Sequence, residues 1–429
     1  MPIAIDSQRT CVLIFVSMQP VEQHIIRRSD PRFSEIDRAA FDSKNLYNAE
    51  NYTLRQSFIF TGKYIPYGKL DKRMQSSPDY CALPRKVSQW VLRQLDHDWR
   101  AFFAATKAYR QNPAAFTGRP KLPKYKHKQD GRNLLTYTRQ AISTKALKQN
   151  RVRPSGLDIE VQTRQAQLQQ VRIVPHTTHY TVEVIYEKSP EPAPDLNPAW
   201  YAGVDIGLDN LATVTSNKPG VQPFLVNGRP LKSINQFCNK RRAELQARLP
   251  VGASSKRLDR LTDKRNRCLH YELHLASRRI IERLVQEKIS TLIIGKNDGW
   301  KQAINIGRRN NQNFVAIPHA RFIEMLSYKA QLVGIHVIAR EESYTSKCSF
   351  LDLEPIEKHE TYAGRRVHRG LFLSAGGRRI HADVNGSYNI IRKEAPCAFD
   401  AAGVEGAVVH PVRLVLTKNQ KRKCSPCHN

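Results

Sequence analysis

Between Ser189 and Pro198 the chain places four prolines in ten residues, Ser-Pro-Glu-Pro-Ala-Pro-Asp-Leu-Asn-Pro. A stretch that dense in proline can continue neither a helix nor a central strand, because each ring removes a backbone donor. It therefore reads as a linker, and the two sides are read separately. After it, Tyr201–Ile206, Leu211–Thr215 and Gln222–Val226 read as strands. Helices follow over about 231–288, broken near Pro250–Ser254. Thr291–Ile294 is a fourth strand, 319–333 a helix with Phe322, Met325, Leu326 and Leu332 on one face, and Ile335–Ile338 a fifth strand. A last helix starts near Asp383. Strands alternating with helices in this order argue an α/β domain.

Before the linker the pattern is less even. The apolar run Cys11–Val16 makes residues 1–20 strand-like and too short for a signal peptide. Residues 30–80 read as mixed and polar. From Arg85 to Arg110, Val87, Val91, Leu95, Trp99 and Phe102 recur at helical spacing, and Asn112-Pro113 ends the helix. Val171–Val174 and Tyr180–Tyr186 alternate as a hairpin would. The tail from 394 is mixed, and its basic end, Lys418–Lys423, reads as disordered.

Charge narrows the partner. Lys and Arg total 69 against 38 Asp and Glu, a net +31, on a chain with an ordinary 40% hydrophobic content. A folded protein tolerates that self-repulsion when its partner is a polyanion. Two stretches concentrate it. The proline-broken segment Thr117–Lys128 carries Arg119, Lys121, Lys124, Lys126 and Lys128, interleaved with Tyr125 and His127, and Arg132 follows. Cations beside aromatic rings suit phosphate contact and base stacking. The helix over 255–285 carries Arg257, Arg260, Lys264, Arg265 and Arg267, a set that can grip an A-form duplex by its backbone. Eight mostly isolated cysteines and no long apolar run fit a reduced, cytoplasmic, nucleoid-associated protein with no membrane partner.

The carboxylates suggest chemistry. Asp205 lies in the first strand between Val204 and Ile206, where an unpaired carboxylate is costly unless it binds something. Asp383 opens the last helix and has an ordinary reading as an N-cap. Acids at the ends of neighbouring strands are what phosphodiester hydrolysis with two divalent ions about 4 Å apart requires, and Mg²⁺ takes hard oxygen ligands.

Three ordered motifs make a family resemblance specific. Val204–Thr213 (VDIGLDNLAT), Glu342–Lys347 (ESYTSK) and Ala382–Ile390 (ADVNGSYNI), together with Asn310–Pro318, resemble the transposon-encoded TnpB family. The resemblance implies an RNase H-like RuvC nuclease domain behind a small β-barrel wedge domain with an inserted helical recognition lobe. Mapped onto this chain, it places the wedge at 1–25 and 113–190, the lobe at 26–112, the linker at 191–200, the nuclease domain at 201–393 and a basic tail at 394–429. It implies RNA-guided cleavage of double-stranded DNA beside a short adjacent motif, with a guide RNA and two Mg²⁺ ions, by a monomer or weak dimer.

Two departures stand out. Gly295 occupies the position at the end of the fourth strand where the family carries its middle acid, while Arg340-Glu341-Glu342 ends the neighbouring fifth strand. The expected metal and catalytic set is therefore Asp205, Glu342 and Asp383, with period-two alternation turning Glu341 away. The family's zinc knuckle is also incomplete over 345–380, since Cys348 is present but no cysteine lies between 349 and 396. Four-coordinate zinc is not expected there. Cys424, Cys427 and His428 in the tail add three possible ligands without a second pair. The competing readings are a guide-directed binder that does not cut and an accessory transposase-type protein.

Overall fold

The structure is a computed structural model that describes residues 19–165, 167–193, 195–297 and 315–416. The strand-like reading of residues 1–18, most of Asn310–Pro318 and the Cys424–His428 group lie outside the described residues. The chain divides into two compact units, one within Ser17–Lys188 and one running on from Ser189.

In the first unit, strand β1 (Val21–Arg27) precedes helices α1 (Phe33–Thr61), α2 (Tyr67–Met74), α3 (Pro78–Cys81) and α4 (Arg85–Gln111). Strand β2 (Leu135–Thr138), the short helix α5 (Thr144–Leu147) and strands β3 (Arg151–Val152), β4 (Val161–Gln162), β5 (Leu168–Pro175) and β6 (His179–Tyr186) follow. One antiparallel sheet has the order β1-β6-β5-β2, and β3 pairs with β4. Among the described residues the edge strands β1 and β2 are not joined, so this sheet is open. Helix α4 forms where its periodicity predicts it. Val87, Val91, Leu95 and Trp99 are buried, and Phe102 is partly covered. Trp99 packs with Phe58, Tyr64, Phe102 and Phe103 at ring separations of 5.4 to 6.0 Å.

The polar reading of 30–80 is corrected by α1, a helix of 29 residues. Its apolar periodicity is masked because its buried face includes Ser43, Lys44, Glu50 and Asn51. Several of these hold the proline-broken basic segment. Asn51 donates to the Pro123 carbonyl at 3.0 Å, Asn48 exchanges two hydrogen bonds with the Lys126 backbone, and the Lys44 ammonium donates to the Lys128 carbonyl at 2.7 Å. A segment that cannot form its own ladder thus has its carbonyls satisfied by a neighbouring helix.

The second unit is built on strands β7 (Asn197–Asp205), β8 (Asn210–Ser216), β9 (Phe224–Asn227), β10 (Ile289–Gly295), β11 (His336–Arg340) and, after a separate three-stranded sheet of β12 (Arg365–His368), β13 (Leu371–Leu373) and β14 (Arg379–Ile380), β15 (Val412–Arg413). The main sheet has the order β11-β10-β7-β8-β9-β15. β7, β8 and β9 are antiparallel, whereas β10 lies parallel to both β7 and β11. Its helices are α6 (Arg229–Gln246), α7 (Lys256–Gln286), α8 (His319–Leu332), α9 (Ala382–Glu394) and α10 (Ala401–Glu405). The six-stranded sheet packs on α7 and α8 through Leu273, Ile280, Phe322 and Leu326, all buried. Helix α9 lies against β7 so closely that a β-carbon on Gly203 would fall 2.4 Å from the Ser387 carbonyl oxygen. The Ser387 hydroxyl lies 2.9 Å from the Gly203 carbonyl and 2.9 Å from the Thr215 hydroxyl, which fixes the register of α9 on the sheet.

Candidate functional site

Asp205 is the last residue of β7, and Asp383 sits in the first turn of α9. Asp383 is not the N-cap. That position belongs to His381, whose Nδ1 accepts the Asp383 backbone N–H at 3.3 Å. The Asp383 carboxylate is therefore available to the cleft. Its Oδ2 accepts the Asn210 amide at 2.8 Å, and its Oδ1 faces the Arg366 guanidinium at 3.4 Å.

Strand β11 ends at Arg340, so Glu341 and Glu342 lie beyond it and the alternation expected of a strand does not apply. They diverge for another reason. Glu341 is exposed and pairs with Lys393 at 2.7 Å, and that bond holds its carboxyl below the usual range. Glu342 turns inward. Asn297 donates to its Oε1 at 3.1 Å and accepts its backbone N–H at 3.1 Å. Its Oε2 is buried with no hydrogen-bond partner among the described residues.

Asp205, Glu342 and Asp383 line one cleft of ≈450 Å³ with Asn210, Asn297, Arg366 and Arg369. Burial pushes the Asp205 carboxyl well above its ordinary value, and the charges of Glu342 and Asp383 push it further. Burial, then Glu341, raises Glu342 to about 7. Concentrated negative charge and an orphaned carboxylate oxygen are features that a cation would satisfy. The three carboxylates do not close on one point. Among the described residues no group of three His, Cys, Asp or Glu stands close enough to enclose an ion. The cations at the lip come from the β12–β13 hairpin, where Arg366 faces Asp383 and Arg369 pairs with Asp209. Sequence reasoning missed Asn210, Asn297, Arg366 and Arg369. Only the VDIGLDN motif holds one of them, as Asn210, and no spacing connects the others to the acids.

In the knuckle region the Cys348 thiol is buried and lies 3.6 Å from the Glu357 carbonyl oxygen. The loop is fastened by the buried Glu354, which accepts the backbone N–H groups of Ser349 at 2.6 Å and Ala363 at 2.8 Å.

The basic candidates separate by environment. Arg119, Lys121, Lys124 and Lys128 are exposed, and Lys126 is half-buried with its ammonium 5.0 Å from the Tyr47 ring centre. Arg132 is turned inward onto Asp37 at 2.9 and 2.7 Å. On α7, Arg257, Arg260, Lys264 and Arg267 are exposed. Arg265 instead donates to Asn235 at 2.7 Å and to the Ala316 carbonyl at 2.8 Å. Arg132 and Arg265 therefore carry structural bonds, unlike the exposed cations beside them. Among the described residues no helix is long and apolar enough to cross a membrane.

A family model described as a probable transposase (OrfB_IS605) matches residues 179–301, and the Cas12f1-like TNB domain matches 319–390. The TnpB-like protein ORF457 of Acidianus two-tailed virus is 24% identical over 447 residues, covering 92% of this chain and 89% of that protein. Solved structures that resemble the chain include a Cas12f1–sgRNA–target DNA complex (13% identity, 86% of this chain and 98% of that one, TM-score 0.35). The mini-RNA-guided endonuclease CRISPR-Cas phi3 is another (10% identity, 94% of each chain, TM-score 0.43). The two family models run in order across the strands and the helix that bring the carboxylates together, and the viral relative spans nearly the whole length, so the chain is similar to the TnpB family over most of its sequence.

Proposed function

We propose that this protein is an RNA-guided endonuclease that cuts double-stranded DNA beside a short adjacent motif, the activity the TnpB resemblance implies. The observation that carries the reading is that Asp205, Glu342 and Asp383, from three distant parts of the chain, line a single cleft. The order β11-β10-β7-β8-β9, with its antiparallel and parallel halves, supports an RNase H-like nuclease domain.

The three carboxylates would hold Mg²⁺, which supplies an activated water and neutralises the leaving oxygen of a phosphodiester. The chain's own residues prepare the site. Asn210 orients Asp383, and Asn297 orients Glu342 through two hydrogen bonds. Arg366 and Arg369 place positive charge where a nucleic-acid phosphate would enter, and each would exchange a carboxylate for that phosphate. The exposed cations of the 119–128 segment and of α7 would carry the guide RNA and its paired target by their backbones.

The test is plasmid cleavage by protein purified with its co-expressed RNA, over a randomised flanking sequence. Asp205→Ala and Asp383→Ala should each abolish cutting and leave guide and target binding intact. Because the ligands act as a unit, the double variant should be no worse than either single one. Unchanged cutting by either variant would refute the assignment. A second reading, a guide-directed binder that does not cut, is favoured by one observation, the Arg366 guanidinium already facing Asp383. Guide-dependent binding without cleavage by the wild type would establish it.

A further inference from the structure

The basic segment in the first unit is more than a charged loop. Its carbonyls at Pro123, Lys126 and Lys128 are held by Asn51, Arg55, Asn48 and Lys44 of α1, at 2.7 to 3.2 Å. The loop is thus held in place before any partner arrives, so little ordering entropy remains to be lost on binding. Between it and α4 lies a concavity of ≈450 Å³, walled by Phe102 and Asp98 on the helix side and by Lys121, Lys124 and Tyr125 on the loop side. That volume is in the small-ligand range of about 300–1,000 Å³ and far below what a duplex occupies.

Tyr125 is the unusual member. The residue is 44% exposed although it lines the concavity. The Arg55 guanidinium covers the ring from 4.9 Å, within reach of a cation–π contact. A ring held by a cation and still open to solvent is a stacking platform. Lys121 and Lys124 are exposed beside it. Asp98 supplies the polar element. Its Oδ2 accepts the Tyr47 hydroxyl at 3.0 Å, while Oδ1 takes no hydrogen bond among the described residues.

We propose that this concavity binds one unpaired nucleotide, its base stacked on Tyr125, its phosphates on Lys121 and Lys124, and its hydrogen-bonding edge on Asp98. An ionised carboxylate only accepts hydrogen bonds. Guanine offers two adjacent N–H donors, N1–H and N2–H, and is the base this edge selects. The proposal rests on the reading of the protein as a nucleic-acid binder and adds a site that the net charge alone does not define.

The experiment uses the full chain, freed of nucleic acid in high salt, and fluorescein-labelled pentauridylates whose central residue is guanosine, adenosine or abasic, with deoxyribose versions as a second arm. Anisotropy should rank guanosine first and the abasic probe last. Tyr125→Ala should weaken guanosine-probe binding by roughly tenfold or more, the order one stacked base contributes, and Tyr125→Phe should restore it. Asp98→Asn should erase the preference for guanosine over adenosine. Equal affinity in the two sugar arms identifies the ligand as any unpaired strand, and ribose preference identifies it as RNA. Wild-type affinity in Tyr125→Ala, or an abasic probe that binds as well as guanosine, would overturn the proposal. The anisotropy assay reads no cleavage, so a failure of the nuclease reading does not touch this one. Absence of any binding by the wild type would instead remove the nucleic-acid reading on which both depend.

Discussion

The Oε2 atom of Glu342 lies 2.6 Å from where a β-carbon on Gly295 would sit. The end of β10 carries no side chain, and the carboxylate from the segment after β11 fills that space. Because β10 and β11 are parallel neighbours with Gly295 opposite Arg340, the residue two places beyond Arg340 can reach across. The missing acid and the extra acid are thus two sides of one packing arrangement.

Gly295→Ala should reduce DNA cleavage strongly, because the added methyl meets both Glu342 Oε2 and Ile390 Cδ1 at 2.6 Å. A clash with a mobile carboxylate is relieved by moving it out of the cleft, whereas overpacking against Ile390 costs about 1–3 kcal/mol. The check is a cleavage assay beside a thermal melt. Cutting at the wild-type rate would mean that the Glu342 position is not needed. The pair Gly295→Glu with Glu342→Gly, which returns the acid to β10, should recover part of the activity.

Glu342→Gln should abolish cleavage, while Glu341→Gln should leave it within a few-fold of wild type. Glu342 lines the cleft, and Glu341 only makes a half-exposed pair with Lys393. Loss of that pair should cost no more than ~1 kcal/mol. Plasmid nicking and linearisation measured for both variants distinguish the two acids, and the reverse pattern would assign the role to Glu341.

Among the α7 cations, combined Arg257→Ala, Arg260→Ala and Arg267→Ala should weaken guide-RNA binding. The slope of log affinity against log salt should fall by roughly one for each phosphate that is no longer neutralised. Arg265→Ala should act on stability instead, since it removes hydrogen bonds to Asn235 and the Ala316 carbonyl. Charged hydrogen bonds contribute about 1.5–3 kcal/mol each at most. Salt titrations and melting curves on the two variants read the two effects separately.

Acid should weaken the α7–α8 packing. His270 and His274 lie with their Nε2 atoms 3.1 Å apart. Burial, then Lys329, His270 and Arg321, lowers His274 to about 4, and burial also lowers His270. The unfolded imidazoles titrate near 6.5, so below that pH the unfolded chain binds more protons than the folded one. Stability from these groups is therefore complete above about pH 6.5 and is lost as pH falls toward 4. Thermal melts between pH 4 and 7.5 should show this decline, and His274→Gln should flatten it. An unchanged slope in that variant would place the acid sensitivity elsewhere.

Periodicity and motif order determined much of this protein. Five of the six strands of the main sheet, β7 to β11, and the four helices α6 to α9 lie close to where apolar spacing places them, and of that sheet only the two-residue β15 was not foreseen. Asp205 and Asp383 stand in motifs that read as chemistry from the sequence alone. Helix α1 was not legible, because Ser43, Lys44, Glu50 and Asn51 on its buried face break the apolar repeat. The choice between Glu341 and Glu342 was legible only as a pair of adjacent acids. It was decided by Lys393, Asn297 and the space above Gly295, which lie 45 or more residues away in the chain. The same holds for Arg132 and Arg265, whose basic character is plain in sequence but whose partners, Asp37 and Asn235, are remote. Local patterns report the free energy of an element against solvent. The direction in which a charged side chain points depends on which distant groups share its low-dielectric surroundings, and only the tertiary fold sets those.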